Sequence, residues 1–218
     1  MTSERTRITR LREKERTERA ALDALLDSAV VGHFALADPE RGPVVIPTAV
    51  VRDGDRVLAH GSTGSRWMRA LAGGAPTCLA VTALDGLVVA RSAFESSLHY
   101  RSAVLFGRCG VLADAEKAAA LDLITEALIP GRTAELRRPT RRELEATLVL
   151  ALPIEEWSLK VSAGWPDDPP EDAAGDAWAG VLPLHARYGA PRPAPDLTDG
   201  IPVPPSVRRL AGDEAQAR

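Results

Sequence analysis

Cysteine is scarce in this chain, with two among 218 residues. Cys78 and Cys109 stand in the apolar runs TCLAVTAL and GRCGVL, without a CxxC or Cys/His spacing. That excludes a disulfide scaffold and reads as two small core residues. The four histidines, His33, His60, His99 and His185, are scattered with no HExxH-like pairing, so no structural metal is expected. Long hydrophobic runs are missing too: no stretch approaches the roughly 18 apolar residues of a membrane span. The opening MTSERTRITRLREKERTERA is charged throughout, so neither a span nor a secretory signal is expected, and the cytoplasm is the default compartment. An excess of positive charge is also lacking. Lys and Arg number 27 against 30 Asp and Glu, a net charge of -3 that argues against an extended nucleic-acid surface.

What is present is a core. At 45% apolar residues, the chain can bury one good-sized domain with an appendage. Its organising stretch is Arg56 to Leu71, RVLAHGSTGSRWMRAL. A strand runs into five small residues (Gly61, Ser62, Thr63, Gly64, Ser65), and a helix follows with Trp67, Met68 and Leu71 on one face. Free backbone N–H groups, hydroxyls and an Arg just inside the helix are the elements of a phosphate cradle. The competing reading is that Ser65 simply caps a short helix after a glycine turn.

In chain order, residues 1–18 read as an exposed arm and Thr17 to Ser28 as an amphipathic helix. Val30–Leu36, Val44–Val51 and Val57–His60 read as a three-stranded meander joined by DPERGP and Asp53-Gly54. After the short helix, Thr77–Thr82 and Leu87–Ser92 read as strands interrupted at Asp85-Gly86, followed by the polar segment FESSLHYRS and a strand from Tyr100 to Ala113. Asp114–Leu128 reads as a helix. A second helix, Pro139–Thr147, carries Thr140 and Glu143 as a capping box, and Leu148–Val161 returns to strand. Residues 166–218 differ in kind, with ten of the 17 prolines and nine acidic against five basic side chains. They read as an extended segment docked through 177–184, with the last ten residues or so disordered. The division is then an arm (1–18), a body (19–165) and an extension (166–218).

The blocks HGSTGSRWMRAL, LDGLVVARSAFESSLHYRSAVLFG and SLKVSAGWPDDPPED followed by WAGVLPL resemble the FMN-binding split barrels of the pyridoxamine 5'-phosphate oxidase superfamily, and within it the nitroimidazole reductase-related branch. The resemblance runs from about Thr6 to Leu184. It implies a mainly β (α+β) fold: a six-stranded antiparallel split β-barrel with flanking helices and an extended C-terminal segment. It also implies a homodimer holding two FMN molecules at the subunit interface. By position, Ser62, Ser65 and Arg66 bind the FMN phosphate and His60 and Gly61 run beside the ribityl chain. Pro47, Thr48 and Val50 face the flavin ring. Tyr100, Arg101 and Ser102 approach from the neighbouring strand, and Trp165 covers the ring. Direct cofactor contact and a purely structural role at the dimer contact are both open for Tyr100, Arg101 and Ser102.

Two departures bear on the substrate. Trp67 stands where the oxidases proper place a lysine, and their C-terminal Arg-x-His signature has no counterpart, since His185-Ala186-Arg187 reverses it. The expected activity is therefore an FMN-dependent oxidoreductase passing electrons from a nicotinamide nucleotide to a small electron-poor acceptor such as a nitro compound, quinone or imine. The alternatives are a haem-binding or haem-degrading protein using His60, His99 or His185 as axial ligand, and a non-catalytic flavin-binding or sensing protein. A deazaflavin is the other candidate cofactor, although its longer tail asks for more basic residues than Arg66 alone.

Overall fold

The computed structural model describes residues 3–212. Its strands are β1 (Glu15–Arg16), β2 (Val31–Asp38), β3 (Gly42–Ala49), β4 (Val51–Asp53), β5 (Arg56–Ser62), β6 (Pro76–Val89), β7 (Ser97–Arg108), β8 (Gly110–Val111), β9 (Thr147–Pro153), β10 (Glu156–Ser162) and β11 (Gly180–Pro183). The helices are α1 (Arg19–Ser28), α2 (Arg66–Ala72), α3 (Asp114–Leu128), α4 (Arg141–Glu145), α5 (Pro170–Ala173) and α6 (Pro205–Leu210). A wide sheet has the order β1-β10-β7-β6-β2-β3, with β11 also paired to β6, and a narrow sheet has the order β4-β5-β9-β8. Every pairing is antiparallel.

Alternation explains the wide sheet. Gly32, Phe34 and Leu36 of β2, and Thr77, Leu79 and Val81 of β6, turn inward, while the intervening residues turn outward. β3 lies at the sheet edge, where Pro43 and Pro47 can be accommodated. Between the sheets, Phe34, Leu79 and Leu105 meet Val57, Ala59, Leu150 and Leu152, with Leu22, Leu25 and Leu26 of α1 and Met68 and Leu71 of α2 sealing the core. The other face of the narrow sheet buries Leu58, Val149 and Ala151 against Ala120 and Ile124 of α3.

The expected six-stranded barrel is therefore corrected: among the described residues there are two sheets, one of seven strands and one of four, and they do not close into a barrel. The meander breaks at Val50, where the chain leaves the wide sheet for the narrow one and the Val50 N–H donates to the Val30 carbonyl at 3.2 Å. Leu148–Val161 likewise divides into β9 and β10, in different sheets, with the Ile154 N–H donating to the Asp55 carbonyl at 2.8 Å at the crossing. Asp85-Gly86 does not interrupt β6. It is a bulge in one 14-residue strand, with the register to β7 shifting between Leu84 and Gly86.

α3 spans Asp114–Leu128, as its periodicity predicts. α4 opens on the expected capping box: the Thr140 side chain accepts from the Glu143 N–H and the Glu143 carboxylate accepts from the Thr140 N–H. Residues 3–16, expected as an exposed arm, lie along β10. β1 pairs with it, Thr6 is buried, Arg5 pairs with Glu156 and stacks 4.8 Å over the Phe106 ring, and Lys160 donates to the Arg10 carbonyl at 2.9 Å. The extension is held at separate points. The Asp168 carboxylate accepts from the Arg91 N–H at 2.8 Å and its guanidinium at 2.9 Å. β11 pairs with β6. Ser206, at the start of α6, donates from N and Oγ to Glu135 at 3.0 and 2.5 Å. Of the last residues expected to be disordered, Arg209 and Leu210 belong to α6, and 213–218 lie outside the described residues.

Candidate functional site

The narrow sheet delivers β5 to a tight connection and α2. Gly61 allows α2 to sit close to the strand, because a Cβ there would meet Met68 Cγ at 3.0 Å and Sδ at 3.2 Å. The loop is fixed by its own backbone. The Ser65 N–H donates to the Ser62 carbonyl at 3.0 Å, the Gly64 N–H to Ser62 Oγ at 3.1 Å, and the Thr63 N–H to the Ala146 carbonyl at 3.0 Å. Ser65 precedes α2, yet its hydroxyl makes no capping bond, so the plain cap reading fails. Trp67 packs on Phe34 with ring centroids 6.0 Å apart and holds α2 against β2.

Arg66 does not offer an empty fork. Its Nε and Nη2 engage Asp38 at 3.0 and 3.2 Å, and Nη2 also reaches Glu40 at 2.8 Å. Both carboxylates sit at the tip of the β2–β3 hairpin. Asp38 is anchored there, because its Oδ1 accepts from the N–H groups of Glu40 and Arg41 at 3.0 and 3.1 Å. Those N–H groups, together with the charges of Arg66 and Arg41, hold its carboxyl below the usual range. Glu40 is open to solvent, with 76% of its side chain exposed. His60, opposite Val149 on β9, keeps a buried Nδ1 that has no partner among the described residues.

The other expected site residues are spread over the wide sheet. Pro47 and Thr48 lie on edge strand β3, opposite His33 and Gly32. Val50, expected at the flavin ring, is 2% exposed and part of the core, because the chain changes sheets there. Tyr100, Arg101 and Ser102 follow one another on β7. Arg101 is spent on structure: Nε and Nη2 bind the Asp85 carboxylate at 3.0 and 2.9 Å beside the bulge, and Nη1 donates to Ser28 Oγ at 3.2 Å. Asp85 raises its pKa, chiefly through that hydrogen bond. Ser102 Oγ lies 3.2 Å from Thr82 Oγ1, and Tyr100 sits between Leu84 and Ser162.

Trp165 is 79% exposed after the end of β10. It lines a cleft of about 470 Å³ with Phe94, Arg10, Lys14, Ser96 and Ser97. Nearby, His99 Nε2 lies 2.6 Å from the Gly164 carbonyl. One chain thus gathers His60, Gly61, Ser62, Ser65 and Arg66 with the hairpin tip, while Tyr100–Ser102 and Trp165 belong to the wide sheet and its end. Sequence reasoning missed Asp38, Glu40 and Phe94. DPERGP was legible only as a turn, and the isolated Phe94 in FESSLHYRS was the available signal for the cleft.

Among the described residues, no cluster of His, Cys, Asp and Glu could hold a metal ion, and no helix is long and apolar enough to cross a membrane. Residues 18–161 match the family model described as pyridoxamine 5'-phosphate oxidase. No curated protein matches the chain. Among solved structures, the FAD and haem binding protein from Mycobacterium smegmatis is 56% identical with a TM-score of 0.87, over 90% of this chain and 97% of that one. The flavocytochrome Anf3 from Azotobacter vinelandii is 37% identical with a TM-score of 0.88, over 95% of this chain and 97% of that one. A 5-nitroimidazole antibiotic resistance protein from Bacteroides thetaiotaomicron shares the fold at 18% identity and a TM-score of 0.58, over 67% and 86% of the two chains.

Proposed function

The chain belongs to the pyridoxamine 5'-phosphate oxidase family of flavin-binding split barrels, and from that premise we propose that it is a flavoprotein that also binds haem. The observation that carries this reading is the 56% identity, across 90% of the chain, to a protein described as binding FAD and haem. Ser62, Ser65 and Arg66 would hold the flavin phosphate. The donor set fits a phosphate, since the Ser62 and Ser65 hydroxyls and Arg66 Nη1 donate to no other acceptor among the described residues. FMN was the flavin expected from the motif. FAD is favoured by the description of the Mycobacterium smegmatis protein and by the fork of Arg66 already engaged with Asp38.

When bound, a flavin supplies hydride and electron transfer, and the chain contributes binding and orientation. No acid–base pair is demanded of the residues around the cradle. The activity is that of an oxidoreductase drawing electrons from a nicotinamide nucleotide and passing them to a small electron-poor acceptor. The chain works as a homodimer with the cofactor between subunits. Exposed apolar residues on β6, β7 and β11 support that assembly.

For haem, His99 is the residue that would hold the iron. A ligating histidine ordinarily gives its other ring N–H to a carbonyl, which is the arrangement of Nε2 with Gly164 and leaves Nδ1 to ligate. His185 lies in an exposed segment with no such partner among the described residues. The test is the absorbance spectrum of the purified protein, with chromatography of the released cofactors. Flavin bands with a Soret band are expected, and His99→Ala should lose the Soret band while keeping the flavin. A colourless protein that FAD does not stabilise in a thermal melt would overturn the reading, and an unchanged Soret band in His99→Ala would overturn the ligand.

A further inference from the structure

We infer that Asp38 and Glu40, at the tip of the β2–β3 hairpin, decide which phosphate the cradle accepts: one singly charged at each phosphorus, as in a pyrophosphate diester, over a terminal monoester that carries two charges. The inference rests on the flavin reading and deepens it. It begins with a donor count. A guanidinium has five N–H donors in a fixed fork. Of the two edges suited to a two-pronged phosphate contact, the Nε/Nη2 edge faces Asp38, and the Nη1/Nη2 edge is half used because Nη2 also serves Glu40. Nη1 makes no bond among the described residues, which leaves a ligand a narrower contact than a free arginine would give.

The two carboxylates differ in how readily they can leave. Asp38 is fastened by two backbone N–H groups and its side chain is 11% exposed, so it stays when a ligand arrives. Glu40 has no anchor besides Arg66 among the described residues, and swings out easily. Nearby, Arg41 and Arg66 are formally balanced by Asp38 and Glu40, and the next helix position is Trp67 rather than a cation. A phosphate monoester brings about 1.5 to 2 negative charges at neutral pH into this balanced site and meets a fixed carboxylate. A diester brings one charge per phosphorus, which Nη1 and the Ser62 and Ser65 hydroxyls can meet.

The experiment titrates the full-length protein, freed of its cofactors, with FAD, FMN and riboflavin, in wild type, Asp38→Asn and Glu40→Gln. Asparagine retains an oxygen to accept from the Glu40 and Arg41 N–H groups, so the turn survives. The exposed Glu40→Gln serves as a second variant independent of the turn. Wild type should bind FAD more tightly than FMN. Asp38→Asn should narrow that gap by about tenfold, the effect of roughly 1.4 kcal/mol, through stronger FMN binding, and Glu40→Gln should narrow it less, because that carboxylate leaves when a ligand arrives. Riboflavin, without a phosphate, should be unchanged. Flavin binding with the same FAD-to-FMN ratio in all three proteins would overturn this inference alone. Failure of every protein to bind any flavin would overturn it together with the flavin reading.

Discussion

Burial governs Cys109 as it does no other titratable side chain in the core. The residue is 6% exposed among core side chains, and loss of water around it pushes its thiol up to about 11 from 9.0. Between about pH 9 and 11 the unfolded chain has lost the thiol proton while the folded chain retains it. Stability is therefore full below that window and falls as pH rises through it, by about 3 kcal/mol. Denaturation of wild type and Cys109→Ala across that range checks this: the wild-type midpoint should drop more steeply, and parallel slopes would contradict it. Near neutral pH the native thiol should resist alkylation. At this scale the sequence was informative about chemistry and blind to partners. Cys109 was legible as core and Arg66 as a cation beside a small-residue turn. The pairing of Arg66 with Asp38 was not, because it joins residues on two different elements, and only the hairpin's placement against α2 brings them together. Val50 failed for a related reason: its apolar strand context does not say on which residue the chain turns from one sheet to the other.

Elements were most legible where a local code specifies them. The Thr140/Glu143 capping box and the helical spacing of α3 depend on neighbours within four residues, and both stand as read. Asp85-Gly86 misled because the same dipeptide suits a hairpin turn and a bulge. Its glycine has a third role that only the fold reveals. A Cβ on Gly86 would lie 2.7 Å from the Leu182 carbonyl oxygen and 3.2 Å from Pro183 Cα, both backbone atoms of β11. Gly86→Ala should therefore push β11 away from β6 and open the pairs Gly180↔Val89 through Pro183↔Gly86. Hydrogen exchange should quicken at the β11 amides and remain slow in α3 and β9. Unchanged protection of β11 would mean that the strand is held elsewhere, by Asp168 on Arg91 or by the Leu184 N–H on the Asp85 carbonyl. The N-terminal segment escaped the sequence for the opposite reason. It lies against β10 and β7 through Arg5, Lys160 and backbone pairing, and a search for apolar periodicity does not register such contacts.

At the scale of the molecule, period-two alternation identifies strands and their inward faces but says nothing about which sheet a strand joins, so one expected barrel became two sheets. The same register exposes a feature invisible in the linear chain. Leu182 of β11, Leu87 of β6 and Leu98 of β7 are consecutive cross-strand partners. Directly opposed residues in antiparallel strands share a face, with Cβ atoms about 4.5–5.5 Å apart, so the three form a continuous apolar row. They are 59%, 43% and 44% exposed in the single chain. Isolated exposed leucines are ordinary, but a row across three strands is the kind of patch that a partner covers. A second copy of the chain is the partner that the proposed homodimer supplies. Leu98→Glu would then place a charge within the covered face, where leaving it unpaired is costly. In sedimentation velocity the wild type should run as a dimer and Leu98→Glu should shift toward monomer. Its circular dichroism should be unchanged, because the residue is already half in water in the isolated chain. A monomeric wild type, or a variant that assembles equally well, would remove this row from the interface, and flavin retention by the monomeric variant would show that one chain completes the site alone.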